Sequence, residues 1–597
     1  VIAEATACIA LDIGSATNAS SLLGRVDGRW RLVGSLSAPS SIDPDVLVAT
    51  LVARLRLADP DLAARLVVEG AADWPRLIAR SGPPPLLAVL AATDRTLERL
   101  ARAGRRSGWD VVGRSAQHTD PLEMTRLLLR RDVRTVLVGA FDPPAADERS
   151  VIGDLATLVA AAAERRPELS VVLAGAFADL LDRFTDVHQA SEPIVAAPGT
   201  PAPPADEAGQ DAQEAVGAGD QPADGEPAAI AEPADQPEPA DDAAPTAIAA
   251  RADRAERGSL IIAPAPSGGT PPDEPLRRLL DDLRAAPDDA HRGVVRATET
   301  LAGLLERHVE TVGVGQSGGV RAVATPAGAT GAAAASWVVA AEAALVPEVD
   351  EALVDRVLRW STTTADRYRL RDRLAELRLA PWGEAHGDGA PLRLAVARAA
   401  VDRLTALTPE LGRPVPDLVI ATGGVWSVAP GPAVALALAD TVRRPGASQL
   451  ALDHAHLLAP LGTIADPGER GRLLRDLADD LLAPLGSLVL PSGLRPGRTA
   501  GRLVVHAATG TTELDLVPGG LELVDLPPGE SAVAEFRFAD NVTLGTRGRR
   551  FTVEVGGGLG GLLVDLRDVP LRLPDRPDRR RELLGAWQRA LWVGLEA

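Results

Sequence analysis

Ala10-Leu11-Asp12-Ile13-Gly14-Ser15-Ala16-Thr17-Asn18 is the stretch on which the fold turns. An apolar run from Ala7 to Ile13 carries a carboxylate near its end, meets a glycine and two hydroxyls, and turns into a second apolar run, Ala19 to Val26. Asp27 and Gly28 supply a hairpin turn before Trp30 to Leu36, so the chain is expected to open as a three-strand meander. In the first turn glycine lets backbone N–H groups approach a phosphate, Ser15 and Thr17 can donate, and Asp12 can hold a hydrated magnesium ion. Taken alone, such a turn is more often a plain Asp-capped hairpin.

About 300 residues later Val312 to Val323, V-G-V-G-Q-S-G-G-V-R-A-V, repeats the pattern of strand, glycine turn and strand. Gly313, Gly315 and Gly318 match a dinucleotide fingerprint, but that motif needs a helix directly after it, and Val320 to Ala324 looks extended. The same missing helix argues against a nucleophile elbow at Gly315, Ser317 and Gly319. A phosphate hairpin fits both flanks. A third signal, the short strand Leu418 to Thr422 running into Gly423 and Gly424, completes the order seen in actin-like ATPases. These are α/β proteins of two ribonuclease H-like lobes.

Outward from these turns, the segments divide into domains. Leu86 to Ala91, Trp109 to Val112, Thr135 to Val138 and Ser170 to Leu173 are apolar strands separated by helical patterns, which predicts a parallel α/β unit at about 85–176 inside a first lobe of 1–190. Two helix starts are marked by an acid followed by proline, at Asp43-Pro44 and Asp120-Pro121. Residues 191–257 are dominated by Ala, Pro, Asp, Glu and Gln and read as a disordered acidic linker. A second lobe is expected over 258–486, an antiparallel β domain over 487–575 and a terminal helix in 576–597, with Leu584, Trp587 and Leu591 on one face.

Composition excludes several functions. The net charge is −20, yet 13 acids and no base fall between Glu192 and Asp242, so most of the excess sits in one segment. No basic stripe with interleaved aromatics supports nucleic-acid binding. The chain has no lysine, which excludes a Schiff base, a pyridoxal phosphate anchor and a Walker loop. The single cysteine, Cys8, the lack of a signal-peptide pattern and the lack of a long apolar run point to a cytoplasmic protein without a membrane span. His454 and His456 beside Asp453 allow a metal clip, without a second ligand pair.

The chain resembles glutamate mutase L, a family of actin-like accessory proteins of cobalamin-dependent mutases. The resemblance rests on A-L-D-I-G-S-A-T-N, R-L-V-G-S-L-S-A-P-S-S, V-G-V-G-Q-S-G-G-V and D-L-V-I-A-T-G-G-V, and it reaches to about residue 485 outside the linker. It implies that Asp12, Gly14, Ser15 and Thr17 form a first phosphate loop with Asp12 on magnesium. Gly315, Ser317 and Gly318 would form the second loop, and Thr422, Gly423 and Gly424 the adenosine loop. It further implies ATP or ADP with magnesium as cofactor and a mutase subunit as protein partner.

The departures are specific. Asn18 and Ala19 stand where the family has Thr and Lys, and Gly313 stands where the second loop has its acid. Hydrolysis needs acids to hold magnesium and orient water, so weak or absent hydrolysis is expected, although backbone amides and Asp12 could still bind nucleotide. No catalytic residue is assigned. An active ATPase or small-molecule kinase would need a substitute acid, for which Glu342 and Asp350 are candidates. A scaffold or adaptor that ignores nucleotide is the remaining reading. The α/β unit invites comparison with cobalamin-binding domains, but A-Q-H-T-D around His118 lacks their Asp-x-His-x-x-Gly loop, so a structural insertion is expected.

Overall fold

The computed structural model describes residues 5–66, 74–140, 146–175, 177, 179–180, 194–195, 260–263, 274–326, 334–364, 366–383, 390–408, 415–426 and 429–591. The expected acidic linker lies outside the described residues except for Ile194 and Val195. No helix among the described residues is long and apolar enough to cross a membrane.

The opening meander forms as β1 (Ala7–Ile13), β2 (Thr17–Val26) and β3 (Arg29–Pro39), and β4 (Arg76–Arg80) adds in parallel to β1, giving the order β3-β2-β1-β4. Asp27 and Gly28 both have positive φ, at 51° and 80°, the geometry of a tight hairpin that follows the right-handed strand twist. The helix Pro44–Ala58 starts where Asp43 accepts from the Asp45 N–H at 2.8 Å, and its Leu47, Val48, Leu51 and Val52 face is buried on the meander.

The parallel unit comprises β5 (Leu86–Ala91), β6 (Asp110–Ser115), β7 (Val133–Gly139), β8 (Ser170–Ala174), β9 (Ile194–Val195) and β10 (Leu260–Ala263) in the order β6-β5-β7-β8-β10-β9. Helices cover both faces, so the strands read as continuous apolar runs rather than alternating ones. The expected boundaries shift here. β10 and the helix Glu274–Arg284, placed by sequence in the second lobe, pack into this unit because Ile261, Leu276 and Leu280 complete its apolar core.

The second lobe begins with β11 (Val309–Val314), β12 (Gly319–Thr325), β13 (Ala334–Ala340), β14 (Leu418–Thr422), β15 (Gly446–Leu452) and β16 (Ala483–Leu490). The chain continues through β17 (Gly501–Ala507), β18 (Gly510–Leu516), β19 (Leu521–Val524), β20 (Ser531–Leu544), β21 (Thr546–Gly556) and β22 (Leu562–Asp565). The lobe's sheet runs β13-β12-β11-β14-β15-β16-β22-β19. Its first four strands repeat the order and directions of β3-β2-β1-β4, so the protein is a two-lobed actin-like α/β scaffold carrying a parallel insertion.

The C-terminal antiparallel sheet, β18-β17-β20-β21, buries Ala534, Phe536 and Phe538 as their alternation with Glu535 and Arg537 requires. It is not hung on a tether. β19 and β22, from the same stretch, extend the second lobe's sheet, and Val489, Leu562 and Val564 share one core with Phe536. The terminal helix Pro577–Leu591 buries Leu584, Trp587 and Leu591 against the second lobe.

Candidate functional site

The two glycine turns are equivalent by hydrogen bonding and register. In the first the Gly14 N–H donates to the Thr17 carbonyl at 2.9 Å, and in the second the Gly315 N–H donates to the Gly318 carbonyl at 2.9 Å. Ile13 pairs with Asn18 across one hairpin, as Val314 pairs with Gly319 across the other. Asp12 and Gly313 therefore hold the same position in their lobes. The backbone continues from Gly319 as strand, which excludes the dinucleotide fingerprint and the nucleophile elbow.

The turns face each other across a cleft lined by Asp12, Gly14, Ser15, Thr17, Gly313, Gly315, Ser317, Thr422, Gly423 and Gly424. Gly318 is not among the lining residues of this cleft; it borders a neighbouring one together with Ser317 and His291. Asn18 is turned away, donating from Nδ2 to the Ile42 carbonyl at 2.9 Å, and so braces the first lobe.

The cleft is drawn shut. Ser15 Oγ and Ser317 Oγ lie 3.0 Å apart, and the Trp382 indole N–H donates to the Ala16 carbonyl at 2.7 Å. The Thr17 hydroxyl lies so close to Gly424 that a Cβ there would come within 2.7 Å of it. A cavity of about 70 Å³ remains, room for a few waters.

Asp12 has a partner. His456, with φ 54° and nearly fully buried, brings Nδ1 to 3.6 Å from the Asp12 carboxylate. Burial opposes a charge on this imidazole, but Asp12 and, behind it, Asp453 outweigh burial and hold its pKa above the ordinary histidine value. Asp453 is itself buried: it accepts from Thr422 Oγ1 at 2.7 Å and from the Leu457 N–H at 2.8 Å, while burial pushes its pKa up. His454 is exposed, so the two histidines do not form a clip, and among the described residues no cluster of three or more His, Cys, Asp or Glu is arranged for a metal.

The second turn has no acid at the position equivalent to Asp12, and little room for one. A Cβ at Gly313 would lie 2.7 Å from Val320 Cγ1 and 3.0 Å from Thr422 Cγ2, so the space an acid would need is filled by the neighbouring strands. Neither substitute faces the cleft: Glu342 is paired with Arg403, and Asp350 caps the helix Glu351–Trp360 by accepting from the Leu353 N–H at 2.7 Å.

Sequence reasoning missed the pairing of His456 with Asp12, the cleft residues His291 and Arg393, and Trp382, which reaches the Ala16 carbonyl beside them. His291, in the first turn of the helix Ala290–Leu305, is pushed down in pKa by burial despite the nearby Asp289. A lone histidine or arginine at the start of an apolar helix carries no local signal of what it faces.

No family model matches the sequence, and no curated protein matches it. Among solved structures, similarity is found to gluconate kinase from Lactobacillus acidophilus at 11% identity, covering 78% of this chain and 92% of that one, with a TM-score of 0.23. A carbohydrate kinase from Novosphingobium aromaticivorans matches at 14% identity over 80% and 99%, TM-score 0.21. The Aquifex aeolicus Ppx/GppA phosphatase matches at 7% over 80% and 94%, TM-score 0.18. At these TM-scores no residue role transfers, and the fold assignment rests on the repeated strand order and the equivalent turns.

Proposed function

We propose that this chain is an actin-like scaffold that no longer hydrolyses ATP and serves a protein partner. The observation that carries the proposal is the filled position at Gly313, the equivalent of Asp12, where a second acid would have to stand. The Asp12–His456 pair and the Ser15–Ser317 bridge support it, because binding magnesium ATP would require both to separate. The lobes are also pinned away from the cleft, with Arg31 on Asp480 at 2.6 Å and Ser21 Oγ donating to the Ala455 carbonyl at 2.9 Å. These bonds oppose the opening and closing that a turnover cycle uses.

The sequence resemblance to glutamate mutase L makes a subunit of a cobalamin-dependent mutase the proposed partner and accessory or chaperone action the proposed role. Phosphate release with magnesium ATP, measured beside an Asp12→Asn variant, is expected to stay at background in both. Release by the parent above the variant refutes the inactive reading. Affinity capture from the native host is expected to recover a mutase subunit, and its consistent absence removes the mutase role while leaving the fold.

A further inference from the structure

Behind the cleft, Arg393 separates the closed phosphate turns from a second cavity of about 250 Å³. The cavity is mostly apolar, lined by Leu394, Ala397, Trp426 and Ala433, with Arg393 at the cleft side and Gln588 as a second polar side chain. It is larger than an engineered cavity of about 150 Å³ that accepts benzene.

Three features of its lining bear on what could fill it. Arg393 is 5% exposed and its guanidinium donates to backbone carbonyls alone: Pro381, Gly424 at 3.3 Å and Val425 at 3.5 Å. A guanidinium has five N–H groups, so donors remain, and among the described residues no carboxylate pairs with it. Burial pushes its pKa down, with no acid among the described residues to counter it. The helices Ala390–Leu407 and Gly431–Thr441 both begin at the cavity, neither has an acid in its first turn, and the second has no side-chain cap. Their positive ends add to the field of Arg393. Trp426 is 1% exposed and its indole N–H is buried without an acceptor among the described residues. An uncompensated buried cation and an unpaired buried donor are each unfavourable unless a ligand satisfies them.

We propose that this cavity binds a small organic acid, its carboxylate on Arg393 and its apolar body against Leu394, Ala397 and Ala433. The site is separate from the question of hydrolysis.

The test is titration calorimetry of the full chain with phenylacetate and with hexanoate, against phenylacetamide as the uncharged analogue. One or both acids are expected to bind at least tenfold more tightly than the amide. Arg393→Gln is expected to weaken binding at least tenfold. Ala397→Leu fills the apolar end without touching the charge and is expected to do the same while melting cooperatively, which keeps the test valid should the arginine variant fold poorly. Failure of both acids to bind, equal binding of acid and amide, unchanged binding in Ala397→Leu, or displacement of the acid by ADP each overturns the proposal, the last by assigning the cavity to a nucleobase.

Discussion

Replacing Gly313 by alanine puts a methyl group between two strands that have no room for it. A Cβ there would lie 2.7 Å from Val320 Cγ1, inside van der Waals contact, and 3.0 Å from Thr422 Cγ2, a tight approach. Neither neighbour can step aside easily. Val320 is 2% exposed and β-branched, with few rotamers open to it, and Thr422 is held through its hydroxyl by Asp453 at 2.7 Å. Overpacking of this kind costs about 1–3 kcal/mol. Val320→Ala alone should lose about 1.6 kcal/mol for two methyl groups, plus a cavity contribution. The two substitutions together should be less damaging than their sum by about 1–3 kcal/mol, because the new methyl occupies the space the valine leaves. Urea unfolding followed by tryptophan fluorescence, completed as a double-mutant cycle, measures that coupling. Additive effects, or a Gly313→Ala protein as stable as the parent, would show that the position is open and that packing does not keep an acid out of it.

Three further outcomes follow from buried charge and from the closed cleft. Glu310, fully buried, holds Arg321 at 2.8 Å and Arg444 at 2.7 Å, so Glu310→Gln leaves two buried cations and is expected to cost about 3–5 kcal/mol in a denaturant melt. Because the folded-state pKa of His456 is raised, its contribution is complete below about pH 6.5 and is lost as pH rises through the raised value. The stability difference between the parent and His456→Gln should therefore shrink from pH 6 to pH 8.5, and a gap that widens with pH contradicts the Asp12 pairing. Ser15→Cys with Ser317→Cys should crosslink on mild oxidation, seen as a shift on a non-reducing gel, and abolish any thermal shift by magnesium ATP. Native Cys8 will not compete, since burial pushes its thiol up to about 12. A doubly substituted protein that stays uncrosslinked argues that the turns stand apart in solution.

The sequence made the local parts of this fold legible because their causes are local. Asp43 and Asp120 cap the helices they precede, Asp27-Gly28 makes its turn, and the alternation around Phe536 predicts which faces are buried. That Gly313 stands in an acid's place was read from the resemblance to glutamate mutase L, and hydrogen bonding gives it the position that Asp12 holds in the first turn. What stayed hidden depends on partners distant in the chain. β19 and β22 look like any antiparallel strands, and only packing beside β16 assigns them to the second lobe. Arg393 sits in an apolar helix with nothing in its local pattern to mark it, and the lack of a carboxylate partner among the described residues is a property of the assembled interior.

The pairing of β9 with β10 has an evolutionary side. The chain leaves the parallel sheet at Val195 and rejoins it at Leu260 on the neighbouring strand, so everything between them amounts to almost no net displacement. Doubling the length of such an excursion costs only about 0.6 kcal/mol in closure entropy. From the sheet's side, insertions and deletions between those two strands carry little thermodynamic cost, so the length of chain that joins them is a weakly selected property.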